Sequence, residues 1–185
     1  MRIMPSFQNI PQFPHANYSI DVDWRYLEEQ IEHATKDDGL DLNPDFQRAH
    51  VWTGKQQREY VEYVLMGGEC SKVLTFNCPG WQCSLSKYGP YVLVDGKQRL
   101  EAVRAFLRGS LSVFGYRFHE YTGHLRMFHS FKWQVCELET RAELLQLYLN
   151  INAGGTPHTK VELDKVRKML RQETDGVGFL ATAKR

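Results

Sequence analysis

The sequence predicts one domain of the α+β class, because helical and strand-like patterns are mixed along the chain without a regular βαβ repeat. Two capping-box patterns, one at residues 53–56 and one at residues 159–162, each open a stretch with helical periodicity. The apolar run at residues 91–94 has the length and composition of a buried strand. A length of 185 residues suits one domain with a small helical extension.

The first elements are predicted from turn and cap residues. Residues 1–20 are rich in Pro, Asn, Gln and Phe without a clear period, so an irregular arm is predicted, with a short strand at 18–20. Asp23 is placed to cap a helix over residues 24–34. A short strand is predicted at residues 40–42, after a turn.

The central elements follow the same logic. Residues 43–48 form a predicted loop, because Pro44 disfavours helix at the residue before it. The capping box at Thr53 opens a helix to about residue 66. This helix is expected to bury three side chains, Tyr60, Val61 and Val64.

The later elements are predicted from apolar runs, caps and glycine stops. In order they are strands at 73–76 and 91–94, a helix from about 97 to 108 stopped by Gly109, strands at 111–114 and 131–138, a helix over 141–149, a loop over 150–157, a helix to about 171, and a frayed last dozen residues. Phe46 and Cys136 are expected in the core. The predicted organisation is an arm (1–20), a core (21–138) and a C-terminal helical extension (139–185).

Composition limits the class of protein. Hydrophobic residues make up 42% of the chain and charged residues 24%, which is ordinary for a folded domain. No apolar run approaches the ~20 residues of a membrane span, and the N-terminus lacks a signal-peptide core. A cytoplasmic protein with reduced cysteines and no membrane association is expected. The net charge of +1 argues against wrapping long nucleic acid by charge alone.

The most informative motif is Asp-Gly-Lys-Gln-Arg at residues 95–99, between the apolar strand and a helix. A helix N-terminus favours anions, and Arg99 offers a guanidinium that suits phosphate oxygens. Asp95 is a candidate helix cap, Mg²⁺ ligand or water-orienting acid. A purely structural interpretation stays open, in which Asp95 caps the helix, Gln98 closes a capping box and Arg99 is a solvated charge.

Three segments share this character. Residues 43–48, 95–99 and 152–157 each lie at an element boundary and are rich in groups that bind phosphate or metal. Loops held on a rigid scaffold are frequent places for function. We expect the three to meet around one anion-binding pocket.

In order along the chain, "NPDFQRAHVW", "VLVDGKQRLEAVRAFLRG" and "LYLNINAGGTPHTKVEL" resemble the N-terminal domain of GmrSD-type restriction proteins. That domain is a DGQQR-motif member of the ParB/sulfiredoxin-like superfamily, and the resemblance covers roughly residues 20 to 170. It implies an α+β ParB/sulfiredoxin-like mixed sheet with surrounding helices. It also implies a site for a nucleoside triphosphate with Mg²⁺, in a phage or bacterial defence or DNA-processing setting.

The residues at matching motif positions are the signature Asp95, Gln98 and Arg99, the upstream Gln47 and Arg48, and Asn152, Gly154 and Gly155 of the later loop. Gly96 and Lys97 of the same motif are further nucleotide-binding candidates. Lys97 departs from the family, which usually has glutamine there. No HNH nuclease domain of the kind that larger members carry is present, so DNA cleavage by this chain alone is not expected.

Roles follow from the residue types. Arg48 and Arg99 are expected to contact phosphate oxygens, with Lys97 as a further point charge. Asp95 is expected to bind Mg²⁺ or orient water, which makes Asp95 and Arg99 the catalytic candidates. The amides of Gln47, Gln98 and Asn152 are candidates for neutral hydrogen bonds, and Gly154 and Gly155 for close backbone approach to the ligand.

The leading prediction is an Mg²⁺-dependent nucleotide-binding protein with NTPase or phosphotransferase activity. Two alternatives stay open: a ParB-like DNA-binding module, and a non-catalytic protein that binds a larger partner. Structural roles stay open for individual residues, with Arg48 pairing to a nearby aspartate and Asn152 capping a turn. Phe46 and Trp52 are expected to be core rather than base-stacking residues. His119, His124 and His129 are expected to be scattered on the surface.

Overall fold

The computed structural model describes residues 16–81, 90–152 and 160–182. In chain order the elements are β1 (Ala16–Asp23), α1 (Leu27–Asp37), α2 (Gly54–Leu65), β2 (Val73–Asn77), β3 (Val92–Asp95), α3 (Lys97–Leu107), β4 (Ser130–Cys136), α4 (Arg141–Asn152) and α5 (Lys160–Thr182), with short 3₁₀ turns at Trp24–Tyr26 and Phe118–Glu120. The predicted α+β class and single domain are confirmed.

The four strands form one mixed sheet in the order β1-β4-β2-β3. β4 pairs antiparallel with β1 and parallel with β2, while β2 pairs antiparallel with β3. Since β3 is an edge strand, the loop that follows it opens at the border of the sheet. This placement puts the Asp95–Arg99 motif at the end of the edge strand, where β3 leads into α3.

The main core lies against the sheet and is rich in aromatic rings. Phe76 and Trp133 stack with ring centroids 4.0 Å apart, and both are buried. The Trp133 indole N–H donates to the Tyr91 hydroxyl at 2.7 Å, which satisfies a buried polar group. Helices α2 and α3 complete this core with Val61, Val64 and Phe106.

A second core cluster joins the C-terminal helices to β3. Val92 and Val94 pack with Phe46 and with Tyr148 of α4, and Val166 of α5 closes the cluster. Because both faces of β3 are covered, its sequence is an uninterrupted apolar run rather than an alternation. The helical extension therefore packs directly beside the predicted site.

Most predicted elements are confirmed. The α2 capping box is complete, with the Gln56 N–H donating to the Thr53 hydroxyl and the Gln56 side chain accepting from the Thr53 N–H. Asp23 caps the 3₁₀ turn that precedes α1 rather than α1 itself. Residues 16–20, assigned to the arm from sequence, form the first part of β1, while residues 1–15 are outside the described part.

Two predicted strands are wrong. Residues 40–42 contribute one bridge, between Asp41 and Val92, rather than a strand. Residues 111–114 lead into a tight turn in which Val113 and Tyr116 exchange backbone hydrogen bonds, with Phe114 and Gly115 at positive φ. The apolar side chains Leu111 and Val113 are buried beside this turn and not within the sheet, so the apolar run is not a strand.

The C-terminal helices are longer than predicted. α4 continues through Asn152, so residues 150–152, expected in a loop, form its last turn. α5 reaches Thr182, so the expected frayed tail is wrong as far as the described residues extend. The remainder of the predicted glycine loop, with Thr159 of the second capping box, lies outside the described residues.

The three histidines are not scattered. His119, His124 and His129 all line one cavity of about 440 Å³, and His129 is buried. Among the described residues no group of three His, Cys, Asp or Glu side chains has an arrangement suited to a metal ion.

The described helices include none with the length and apolar character needed to cross a membrane. Cys136 is buried, as expected.

Candidate functional site

The turn from β3 into α3 is made by Gly96. Its φ of 101° lies in the left-handed region, and a Cβ there would sit 2.4 Å from the Leu74 side chain and 3.3 Å from the Leu74 backbone. Gly96 is the N-cap residue, and α3 has no side-chain cap. The expectation that Asp95 caps this helix is therefore wrong, and the first-turn N–H groups of α3 are left available.

Asp95 instead pairs with Arg99, one helical turn along. The Asp95 carboxylate accepts a short hydrogen bond from the Arg99 guanidinium, whose side chain is 15% exposed. Arg99 also donates to the Ser71 carbonyl at 3.0 Å, and the Tyr60 hydroxyl donates to the same oxygen at 2.9 Å. Arg99 is thus an anchored cation, which contradicts the interpretation of a solvated surface charge.

Ser71 itself has an unusual backbone. Its φ of 60° is positive, which few non-glycine residues adopt. The two hydrogen bonds at its carbonyl hold this conformation. Strained residues of this kind cluster at functional sites, and Ser71 lines the same cleft as Asp95.

Gln98 holds the loop after residue 48 against α3. Its side-chain oxygen accepts from the N–H groups of Val51 and Trp52 at 2.8 and 3.1 Å. Its amide nitrogen donates to the Ala49 carbonyl at 3.1 Å. The side chain is buried, so Gln98 positions the loop rather than closing a capping box.

Gln98→Leu is expected to lower the free energy of unfolding by about 2 kcal/mol, because three backbone groups lose their partner while the volume stays similar. Urea denaturation measures the change. Gln146→Ala, at an exposed position on α4, is the control and is expected to change stability by less than about 0.5 kcal/mol. Equal stability of Gln98→Leu and wild type would show that the loop needs no such support.

Gln47 and Lys97 fix the other end of this loop. The Gln47 amide nitrogen donates to the carbonyls of Leu93 and Val94 at 3.2 and 3.1 Å. Lys97 donates to the Arg48 carbonyl at 3.1 Å. These bonds tie the segment that carries Arg48 to the β3–α3 junction.

The predicted site residues meet in one cleft of about 330 Å³. Its lining contains Gln47, Arg48, Trp52, Tyr60, Ser71, Asp95, Gly96, Lys97, Gln98, Arg99, Ile151 and Asn152. Eight of the ten predicted site residues are in this set, and the other two, Gly154 and Gly155, lie outside the described residues. The described parts of the three segments therefore converge as the sequence predicts, the third through Asn152 alone.

The charge of the cleft favours anions. The described part of the lining contains three cations, Arg48, Lys97 and Arg99, against one carboxylate, Asp95. Among the described residues, the Arg48 guanidinium forms no ion pair, since Asp45 pairs with Arg141 and Asp95 with Arg99. The expected structural pairing of Arg48 with an aspartate is not observed there.

Lys97 is a partly desolvated cation. Burial lowers the pKa of Lys97 below its usual value, and the charges of Glu101 and Asp41 oppose the shift. An anion beside the ammonium group favours its protonated form.

The last turn of α4 contributes Ile151 and Asn152 to the lining of the cleft. Burial raises the pKa of the Tyr148 phenol, and a hydrogen bond with the Arg48 backbone and the charge of Arg48 oppose this rise. The Asn152 amide donates to the Tyr148 carbonyl at 2.7 Å in the last turn of α4. Asn152 therefore bonds within the last turn of α4, in line with the structural role left open for it, and it also lines the cleft.

Sequence reasoning missed three of the lining residues. Tyr60 was expected only as core, while Ser71 and Ile151 were not considered. No motif in the sequence marks Ser71 as a site residue, because its positive φ is a property of the folded chain. Trp52 is half-buried and packs against the main core, as expected, and it also lines the cleft, where its ring centroid lies 5.5 Å from that of Tyr60. Phe46 is core, with its ring edge against Tyr148 at 5.2 Å.

Comparisons of the chain with protein-family models, with curated proteins and with solved structures found no match. The function is therefore inferred from the geometry of the cleft and from the resemblance seen in the sequence.

Proposed function

We propose that the cleft binds the phosphates of a nucleoside triphosphate and that the chain is a Mg²⁺-dependent nucleotide-binding protein with NTPase or phosphotransferase activity. The observation that carries the proposal is the convergence of Arg48, Lys97 and Arg99 on the uncapped N-terminus of α3. Guanidinium groups and helix N–H groups together form a strong anion site. The resemblance to the ParB/sulfiredoxin-like superfamily supports the same class of ligand.

An aromatic wall favours a nucleotide over inorganic phosphate. Trp52 is half-buried and lines the cleft beside Tyr60, so the lining combines two aromatic rings with cationic side chains. A base would contact the rings and a phosphate chain the cations. Inorganic triphosphate would use only the cations.

The side chains of the cleft fit Mg²⁺ only if the phosphate oxygens of the nucleotide supply further ligands to the ion. Asp95 is the single carboxylate in the described lining, and Mg²⁺ commonly takes one or two carboxylates with phosphate oxygens and water. Asp95 would hold the ion, which supplies neutralisation of phosphate charge. Arg99 keeps its guanidinium at the same end of the cleft and stabilises negative charge on the phosphates.

Asp95 is also the candidate acid for turnover. Because the Arg99 ion pair fixes its carboxylate, Asp95 is placed to accept a hydrogen bond from an attacking water or hydroxyl. The variant Asp95→Asn is expected to lose the Mg²⁺-dependent part of nucleotide affinity and at least about 100-fold of any phosphate release. Unchanged turnover in a folded Asp95→Asn protein would remove Asp95 from the mechanism.

A thermal-shift experiment tests the proposal. ATP, GTP, CTP and UTP are each added with and without Mg²⁺, and inorganic triphosphate serves as the control ligand. At least one nucleotide is expected to raise the melting temperature more with Mg²⁺ than without it, since a ligand of the native state adds RT ln(1 + [L]/Kd) to stability. No shift with any of the four at millimolar concentration would contradict the proposal.

A further inference from the structure

A second cavity lies on a different part of the fold, between α3 and the segment of residues 114–128. It is the cavity of about 440 Å³ that His119, His124 and His129 line, and its other described lining residues include Phe106, Phe114, Phe118, Tyr121 and Arg126. None of these residues lines the phosphate cleft. This cavity is called here the aromatic pocket, and it has no part in the proposed nucleotide binding.

Phe114 occupies the rim in a strained conformation. Its φ of 47° is positive, which for a bulky aromatic residue is a genuine outlier, and its side chain remains 47% exposed. The Glu62 carboxylate accepts from the Phe114 N–H at 3.0 Å and holds this geometry. The fold thus holds an exposed ring in an unfavourable backbone conformation, which points to a binding role.

The rings continue beyond the pocket as a connected series. The centroid of Tyr116 is 6.0 Å from Tyr121, which is 5.9 Å from Phe106. Tyr116 is 58% exposed and Phe128 40% exposed, and neither lines the pocket. A ligand the size of one nucleotide would leave these outer rings uncovered.

Arg126 supplies a positive charge at the pocket that is suited to phosphate. It is exposed, lies with its guanidinium 5.8 Å from the Phe128 ring centre, and forms no ion pair with a described carboxylate. The other lining arginine, Arg25, pairs with Asp23, and the Glu62 carboxylate accepts from the Phe114 N–H, so Arg126 is the cation proposed to contact phosphate. Aromatic rings beside unpaired arginine are the elements that bind unstacked bases together with their backbone.

We propose that the aromatic pocket binds an unstacked base of a single-stranded nucleic acid, with Arg126 directed to the strand's phosphates. Phe114 stacks on the inserted base, and Tyr116 and Phe128 contact its neighbours. A strand fits better than a peptide because the surface combines flat rings with unpaired positive charge. It fits better than a duplex because rings within a pocket reach only bases that are free to unstack.

The test measures binding of a fluorescent oligothymidylate of about 15 nucleotides by anisotropy at low salt. Phe114→Asn is the main variant, because asparagine tolerates positive φ and keeps the turn while the ring is removed. It is expected to weaken binding about tenfold with no loss of melting temperature. Arg126→Ala is expected to weaken binding and to reduce its salt dependence.

One control separates this site from the rest of the chain. Lys168→Ala removes an exposed cation on α5 that lines neither cavity. It is expected to bind the oligonucleotide as wild type does. The proposal is overturned by absence of binding to wild type, by equal binding to Phe114→Asn, by a duplex of equal length binding as tightly, or by an equal loss of binding in Lys168→Ala. Nucleotide-induced stabilisation is measured separately and is expected to persist in Phe114→Asn.

Discussion

Gly96→Ala is expected to lower the free energy of unfolding by about 3 kcal/mol. The added Cβ meets the Leu74 side chain at 2.4 Å and its backbone at 3.3 Å, so β2 and α3 have to separate. Overpacking of this kind costs about 1–3 kcal/mol, and an L-residue at positive φ adds about 1–2 kcal/mol. Chemical denaturation measures the loss.

Gly39→Ala is the matched control. Gly39 also has a positive φ, of 71°, but a Cβ there has no heavy atom within 4 Å. It is expected to lose only the conformational part, about 1 kcal/mol. Equal losses for the two variants would show that the close approach of Gly96 to Leu74 contributes nothing to stability.

Arg48→Ala is expected to weaken nucleoside triphosphate binding by about 10- to 100-fold, the value of charge-assisted hydrogen bonds to phosphate. Its stability is expected to stay within about 0.5 kcal/mol of wild type, because the guanidinium has no ion pair among the described residues. Isothermal titration calorimetry measures the affinity.

Arg171→Ala provides the comparison for this variant. Arg171 is an exposed arginine of α5 that does not line the cleft. Its replacement removes the same charge from the chain and is expected to leave the nucleotide affinity unchanged. If both variants bind as wild type does, Arg48 has no part in recognition.

The elements that could be predicted from sequence are those set by local chemistry. The capping box at Thr53 fixed the start of α2, and the buried run before Asp95 fixed β3. The convergence of Arg48, Asp95 and Asn152 was expected from residue types at element boundaries, and the structure brings them together.

The parts that could not be predicted depend on the tertiary fold. Gln98 resembles a capping-box residue in sequence, yet its side chain bonds to a loop 46 and 47 residues away. Asp95 has a partner one turn along α3, so it does not cap the helix. The positive φ angles of Ser71 and Phe114 arise only in the folded chain, and the residue types at these positions do not predict them.

The most direct test of the central claim is a map of backbone amide chemical shifts during titration with a non-hydrolysable nucleoside triphosphate and Mg²⁺. The largest changes are expected at the N–H groups of Lys97, Gln98 and Arg99, in the first turn of α3, and at Arg48. Changes confined to the aromatic pocket, or none at millimolar ligand, would contradict the assignment of the cleft as a nucleotide site.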